Sequence, residues 1–165
     1  MITTMRTMPA LLLTLALSAA GCGGSPVDLK ASLEVADLVT GWFDAGIVDG
    51  KNKLVPSISF RLRNVSAQPV ASVQTMVIFR PVNEPDQEWG SSYAVAIDAK
   101  GLPGGDSSAP VVLHSSFGHT GAQSRLEMLQ NKYFVDAKVE LYAKHRAQNW
   151  VKLGEWQAAR QLLTR

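Results

Sequence analysis

The strongest constraint on the fold is an alternation of apolar and polar residues that returns in segment after segment. Ser57 to Asn64 reads SISFRLRN, with Ile58, Phe60 and Leu62 on one side and Ser59, Arg61 and Arg63 on the other. A period of two places alternate side chains on opposite faces of an extended chain, so this is a half-buried strand. Ala71 to Arg80 repeats the pattern with Val73, Val77 and Phe79; its second face carries Gln74, Met76 and Ile78, as expected of a central or doubly covered strand. Trp89 to Ile97, Val111 to Ser116 and Tyr133 to Lys144 alternate likewise, and Trp150 to Trp156 fits a last strand that Ala158 to Leu163 either continues or follows as a short helix. Near the start, Leu29, Ala31, Leu33 and Val35 alternate with Lys30, Ser32 and Glu34, and the pattern slips before Leu38 as at a bulge.

Turn chemistry separates these runs. Gly41, Gly46 and Gly50 mark residues 41–54 as loop, within which Asp49-Gly50 suits a tight hairpin. Asn64 to Pro69, Pro81 to Glu88, Asp98 to Ser108 and Gly118 to Gly121 are further turns, and Ala122 to Gln130 is a helical turn or loop. About seven strands with little helix between them predict an antiparallel all-β sandwich, with a closed barrel as the structural rival.

The first 21 residues follow different rules. Arg6 precedes the stretch Leu11 to Cys22, an apolar run that ends in the small residues Ala19-Ala20-Gly21 directly before Cys22. Charge, short apolar run and small residues make a secretory signal, and the run is too short to span a bilayer as a helix. Ala19-Ala20-Gly21-Cys22 resembles the bacterial lipobox, with alanine at position 19 where that family most often has leucine. The resemblance implies cleavage between Gly21 and Cys22, diacylglycerol on the Cys22 thiol and acylation, as by palmitate, of the new amino terminus. Two or more acyl chains are what stable attachment requires. Gly23 and Gly24 stand where an aspartate would resemble an inner-membrane retention signal, so the expected address is the outer membrane, facing the periplasm. The expected organisation is a signal peptide (1–21), a lipidated cysteine and short tether (22–28), and one sandwich domain (29–165).

From Cys22 onward the chain carries 15 basic and 14 acidic residues, which argues against nucleic-acid binding. Cys22 is the sole cysteine, so the domain must be stable by packing without an internal disulfide. Phe60 to Asn64, then Ser66, Pro69 and Val73, followed by Met76-Val77-Ile78-Phe79-Arg80, is similar to the FxLYD-type immunoglobulin-like domains of prokaryotic envelope proteins, with Arg80 where that motif closes on aspartate. The resemblance implies an immunoglobulin-like sandwich that serves as a binding or structural module, and it carries no catalytic residues.

Motifs for chemistry are weak. There is no G-x-S-x-G elbow. Ser115, Ser116, His119 and Asp106 are neighbours in sequence but fall in or beside turns. His114 and His119 do not make a zinc set of four ligands. Gly101 to Gly105 lacks the Lys-Ser/Thr of a phosphate loop. Glu84, Asp86 and Glu88 read as a solvated acidic loop, so no cofactor or metal is expected. Trp150 and Trp156 take strand positions, whereas Trp42 and Trp89 lie beside loops and are the candidate partner-binding residues, since aromatic residues are enriched at recognition surfaces. The expected function is therefore a non-enzymatic, lipid-anchored envelope module with an envelope partner. A small-ligand carrier with a cavity between sheets or in a barrel is the alternative, and a hydrolase comes third.

Overall fold

The structure, a computed structural model, describes residues 26–163; Gly21 and Cys22, and with them the expected cleavage and lipidation site, lie outside the described residues. The chain order is α1 (Leu29–Ser32), β1 (Leu33–Val48), β2 (Lys51–Asn64), β3 (Val73–Pro81), β4 (Gly90–Ile97), β5 (Val111–His114), β6 (His119–Gly121), α2 (Arg125–Gln130), β7 (Ala137–His145), β8 (Val151–Gln157) and β9 (Leu162–Leu163). Two sheets form an all-β sandwich. The first runs β5-β2-β1-β9, with β6 also paired to β2; the second runs β4-β3-β7-β8. Pairing is antiparallel except for the short β1–β9 contact, which is parallel.

The long β1–β2 hairpin sets the first sheet. Its turn is Asp49-Gly50, both at positive φ (50° and 73°), the conformation that matches a two-residue hairpin to the strand twist. Both flanks pair, so β1 extends to Val48 through most of the stretch expected as loop. The register shifts between Ala36 and Val39, where Asp37 has φ 49°, and again between Asp44 and Ile47, where Gly46 has φ 86°. Glycines that resembled loop punctuation thus serve a bulged strand.

Alternation then builds the core. Ile58, Phe60 and Leu62 of β2 meet Val73, Val77 and Phe79 of β3 and Val139 and Leu141 of β7, all fully enclosed. As expected, β3 is central, between β4 and β7. The inter-sheet space is thus occupied by side chains.

Elsewhere the structure differs locally from the expected pattern. Leu29 to Ser32 is a helical turn, not strand: the Asp28 carboxylate accepts from Lys30 and Ala31 N–H, and Leu29 and Leu33, four apart, are both buried. Val27 also packs on the core, so the tether expected over 22–28 is already part of the fold at its last residues. The turn expected at 118–121 contains β6, and β4 turns its large residues outward, with Tyr93 62% and Val95 64% exposed while Ala94 and Ala96 pack inward. Within 122–130 the helical turn is α2, Arg125–Gln130, opened by a capping box between Ser124 and Glu127. Among the described residues no helix is long and apolar enough to cross a membrane.

Candidate functional site

Trp42 is not on the surface. It lies in β1 opposite Pro56, is fully enclosed, and forms an aromatic cluster with Trp89 (ring centres 6.4 Å apart), His119 (5.5 Å) and Phe134 (4.5 Å). The reason is the unbroken strand: with β1 running through position 42, alternation turns the indole inward. Its Nε1 finds no hydrogen-bond partner among the described residues. Trp89 is half-buried and sits edge-on to Trp42 and His119. Trp42 offers no free recognition face, whereas Trp89 packs against the core and keeps part of its surface exposed.

The other chemistry-bearing residues do not converge. His119 Nε2 donates to Val135 O at 2.9 Å, and Ser115 Oγ donates to Trp89 O at 3.3 Å. Asp106 lies at the opposite end of the sandwich, where its carbonyl accepts from Asn64 N. Glu84, Asp86 and Glu88 occupy an exposed loop, and no group of three metal-ligating side chains occurs among the described residues.

What the structure does assemble is a solvent-open groove of about 580 Å³ on the outer face of the first sheet. Its floor is made of small residues: Ser57 and Ser59 of β2, beside Gly41 of β1. Val39 and Phe43 of β1, Val112 of β5 and Leu163 of β9 form apolar walls. Val39 and Val112 are 43% and 52% exposed, which leaves apolar surface available to a partner. The absent side chain of Gly41 is what admits β9: a Cβ there would stand 2.8 Å from Leu163 Cγ and 2.9 Å from Gln161 O.

One polar pair lies in the groove. His114 Nδ1 and Ser57 Oγ are 2.7 Å apart, and the imidazole stacks on Phe43 with ring centres 4.2 Å apart. Ser57 Oγ also donates to Leu113 O at 3.3 Å, an arrangement satisfied when His114 Nδ1–H donates to Ser57. Burial lowers the His114 pKa below its usual 6.5, so the ring is neutral near pH 7. Ser57 is fully enclosed, and no carboxylate among the described residues hydrogen-bonds His114. A nucleophile needs access and a base held by a third group. The pair instead stiffens the groove floor and supplies a weakly polar rim to an apolar slot.

The groove is not legible in the sequence because the glycines of 41–54 read as loop, which hides that the outward row Val39, Gly41 and Phe43 lies beside Ser57 and Ser59. The signal was present in Asp49-Gly50, whose hairpin pairs the two rows.

No family model matches this sequence, and no curated protein matches it. Solved structures similar to it include a Northeast Structural Genomics Consortium target at 10% identity, covering 79% of this chain and 89% of that one with a TM-score of 0.46. A Bordetella pertussis protein described as ApaA is similar at 10% identity, covering 77% and 92% with a TM-score of 0.45.

Proposed function

We propose that this chain is a lipid-anchored cell-envelope protein, held through Cys22 in the outer membrane facing the periplasm, whose sandwich is a non-enzymatic binding module. The groove carries the reading: exposed Val39 and Val112 flank a slot with Phe43 and Leu163, into which an envelope partner inserts an apolar group. The lipobox-like junction supports the anchor, and the FxLYD-like run supports an immunoglobulin-like binding role. The enclosed Ser57, and the lack of a carboxylate bonded to His114 among the described residues, favour binding over hydrolysis.

The filled inter-sheet core moves the ligand-carrier alternative to the same groove, whose volume lies in the range of small-molecule sites, about 300–1,000 Å³. A photoreactive amino acid at position 112, irradiated in intact cells, tests both. A reproducible protein adduct, absent with the probe at exposed Leu126 and lost on Val39→Glu, is the expected result. A low-mass adduct instead would favour a small apolar ligand. Equal labelling from positions 112 and 126, or labelling indifferent to Val39→Glu, would refute the groove as the site. The mass of the mature amino-terminal peptide tests the anchor separately.

A further inference from the structure

The tether leaves the sandwich at one end, and a continuous set of hydrogen bonds gathers several loops there. Asn64, paired with Leu33 at the start of β1, donates through Nδ2 to Leu102 O at 2.9 Å; Leu102 and Val70 exchange bonds of 2.7 and 3.0 Å. Ser72 N then donates to Asp98 O at 2.8 Å, and Arg146 N to Ser72 O at 3.0 Å. The start of β1, the β4–β5 loop and the β7–β8 hairpin therefore share this end, and Lys30 of α1 lines a hollow with Lys152 and Leu153 of β8.

On the β7–β8 hairpin the charges are of one sign, with no acid in the sequence between Glu140 and Glu155. Lys30, Lys100 and Arg146 are exposed and Lys144 half-buried, and none of the four forms an ion pair among the described residues. Lys144 Nζ lies 4.8 Å from the centre of the Trp150 ring, and Trp150 is 6.2 Å from exposed Tyr93. The acids at this end lie off the hairpin turn: Asp28 and Asp98 accept from backbone N–H groups of Lys30, Ala31 and Lys100, Glu34 and Asp106 are exposed, and Glu155 lines the hollow and pairs with Lys152. The exposed acids Glu84, Asp86 and Glu88 lie beyond the other end of β3. Unpaired cations beside Trp and Tyr match a headgroup layer, where basic residues meet anionic lipid and aromatic rings take the polar–apolar boundary.

We propose that the β7–β8 hairpin, through Lys144, Arg146 and Trp150, docks on an anionic phospholipid surface and fixes the orientation of the sandwich. This docking rests on the Cys22 anchor proposed above for its proximity. Cys22 to Pro26 spans at most about 14 Å when extended, so the tether end stays close to the membrane surface and the hairpin can reach it. In that pose the acidic loop 84–88 points away from the membrane.

The test uses the full-length gene product extracted from membranes and reconstituted into vesicles of phosphatidylcholine, with or without about one-third phosphatidylglycerol. Amide exchange at 145–150 is expected to slow about fivefold or more in the anionic vesicles, with loop 82–88 unchanged. High salt, or Lys144→Glu combined with Arg146→Glu, should abolish the slowing; Arg146 is exposed and Lys144 half-buried, and an unchanged melting temperature verifies folding. Equal exchange in both vesicles, protection that ignores lipid charge, or protection of 82–88 instead would overturn the docking. An unacylated amino-terminal peptide would refute the anchor alone. The unacylated chain would then be sedimented with the same vesicles, where selective binding to the anionic ones supports the docking and no selectivity overturns it.

Discussion

Glu140 gives the sharpest quantitative prediction, because its sequence position gives no hint of its surroundings. It points to the outer face of the second sheet, yet its side chain is only 9% exposed. Arg80 Nε at 3.2 Å, Lys138 Nζ at 3.2 Å and Lys152 Nζ at 3.1 Å converge on its carboxylate. Burial alone would raise the pKa, but hydrogen bonds from Lys152, Lys138 and Arg80 outweigh it and bring the value from 4.5 to about 2. The unfolded chain therefore binds the proton first as pH falls. Stability owed to Glu140 is complete above about pH 4.5 and is lost on the way down to about pH 2. At about 1.4 kcal/mol per unit the ceiling is ~3 kcal/mol. Lys138 and Lys152 are about a third exposed, so solvent and salt screening reduces this to about 2 kcal/mol. Glu140→Gln keeps the shape, removes the charge and leaves three cations facing one another. Urea unfolding of both proteins from pH 7 to pH 2.5 should show a gap of about 2 kcal/mol at neutral pH that closes below pH 4.5. A gap of the same size at every pH would place the cost in packing and refute the electrostatic account.

Two further substitutions probe the groove wall and the tether end. Gly41→Ala drives a Cβ into Leu163 and the Gln161 carbonyl, so β9 must separate, losing the Trp42 N–Gln161 O bond (2.9 Å) and the Gln161 Nε2–Thr40 O bond (2.8 Å). The expected cost is about 2 kcal/mol, with fast amide exchange at 161–163 as the readout; unchanged exchange would show that the strand accommodates the methyl. Asn64→Ala deletes donors to Gln68 O (2.8 Å) and Leu102 O (2.9 Å) and an acceptor for Ser66, all at an enclosed site. A loss of about 3 kcal/mol by denaturant unfolding is expected, and Asn64→Asp should not restore it, because a carboxylate has no N–H to give the two carbonyls.

Strands with strong alternation were legible because the same pattern that labels a strand also packs it: β2, β3 and β7 each bury the apolar row visible in the sequence. Leu29 reads as strand in the sequence because its spacing of four from Leu33 satisfies a strand and a helical turn alike, and only the Asp28 cap decides between them. Tyr93 and Val95 mark another limit. Alternation identifies two faces but not which one is inward, and in β4 the small Ala94 and Ala96 take the inner face.

Ser57 shows why the groove was less legible than the fold. On the sequence it is a polar residue on the solvent side of β2, in line with Ser59, Arg61 and Arg63. In the structure it is fully enclosed, because β5 brings His114 alongside it and the stack of His114 on Phe43 roofs it over. The positions that meet there, 43, 57 and 114, come from three strands whose registers depend on pairings between distant parts of the chain. Short-range periodicity cannot supply those registers. Once they are set, small side chains on the floor and large ones at the edges leave an apolar slot on the outer face, as the Gly41–Leu163 fit shows on its β9 side. The same long-range pairing that closes the first sheet therefore makes the candidate site, so a change that loosens β9 should weaken binding in the groove before it unfolds the sandwich.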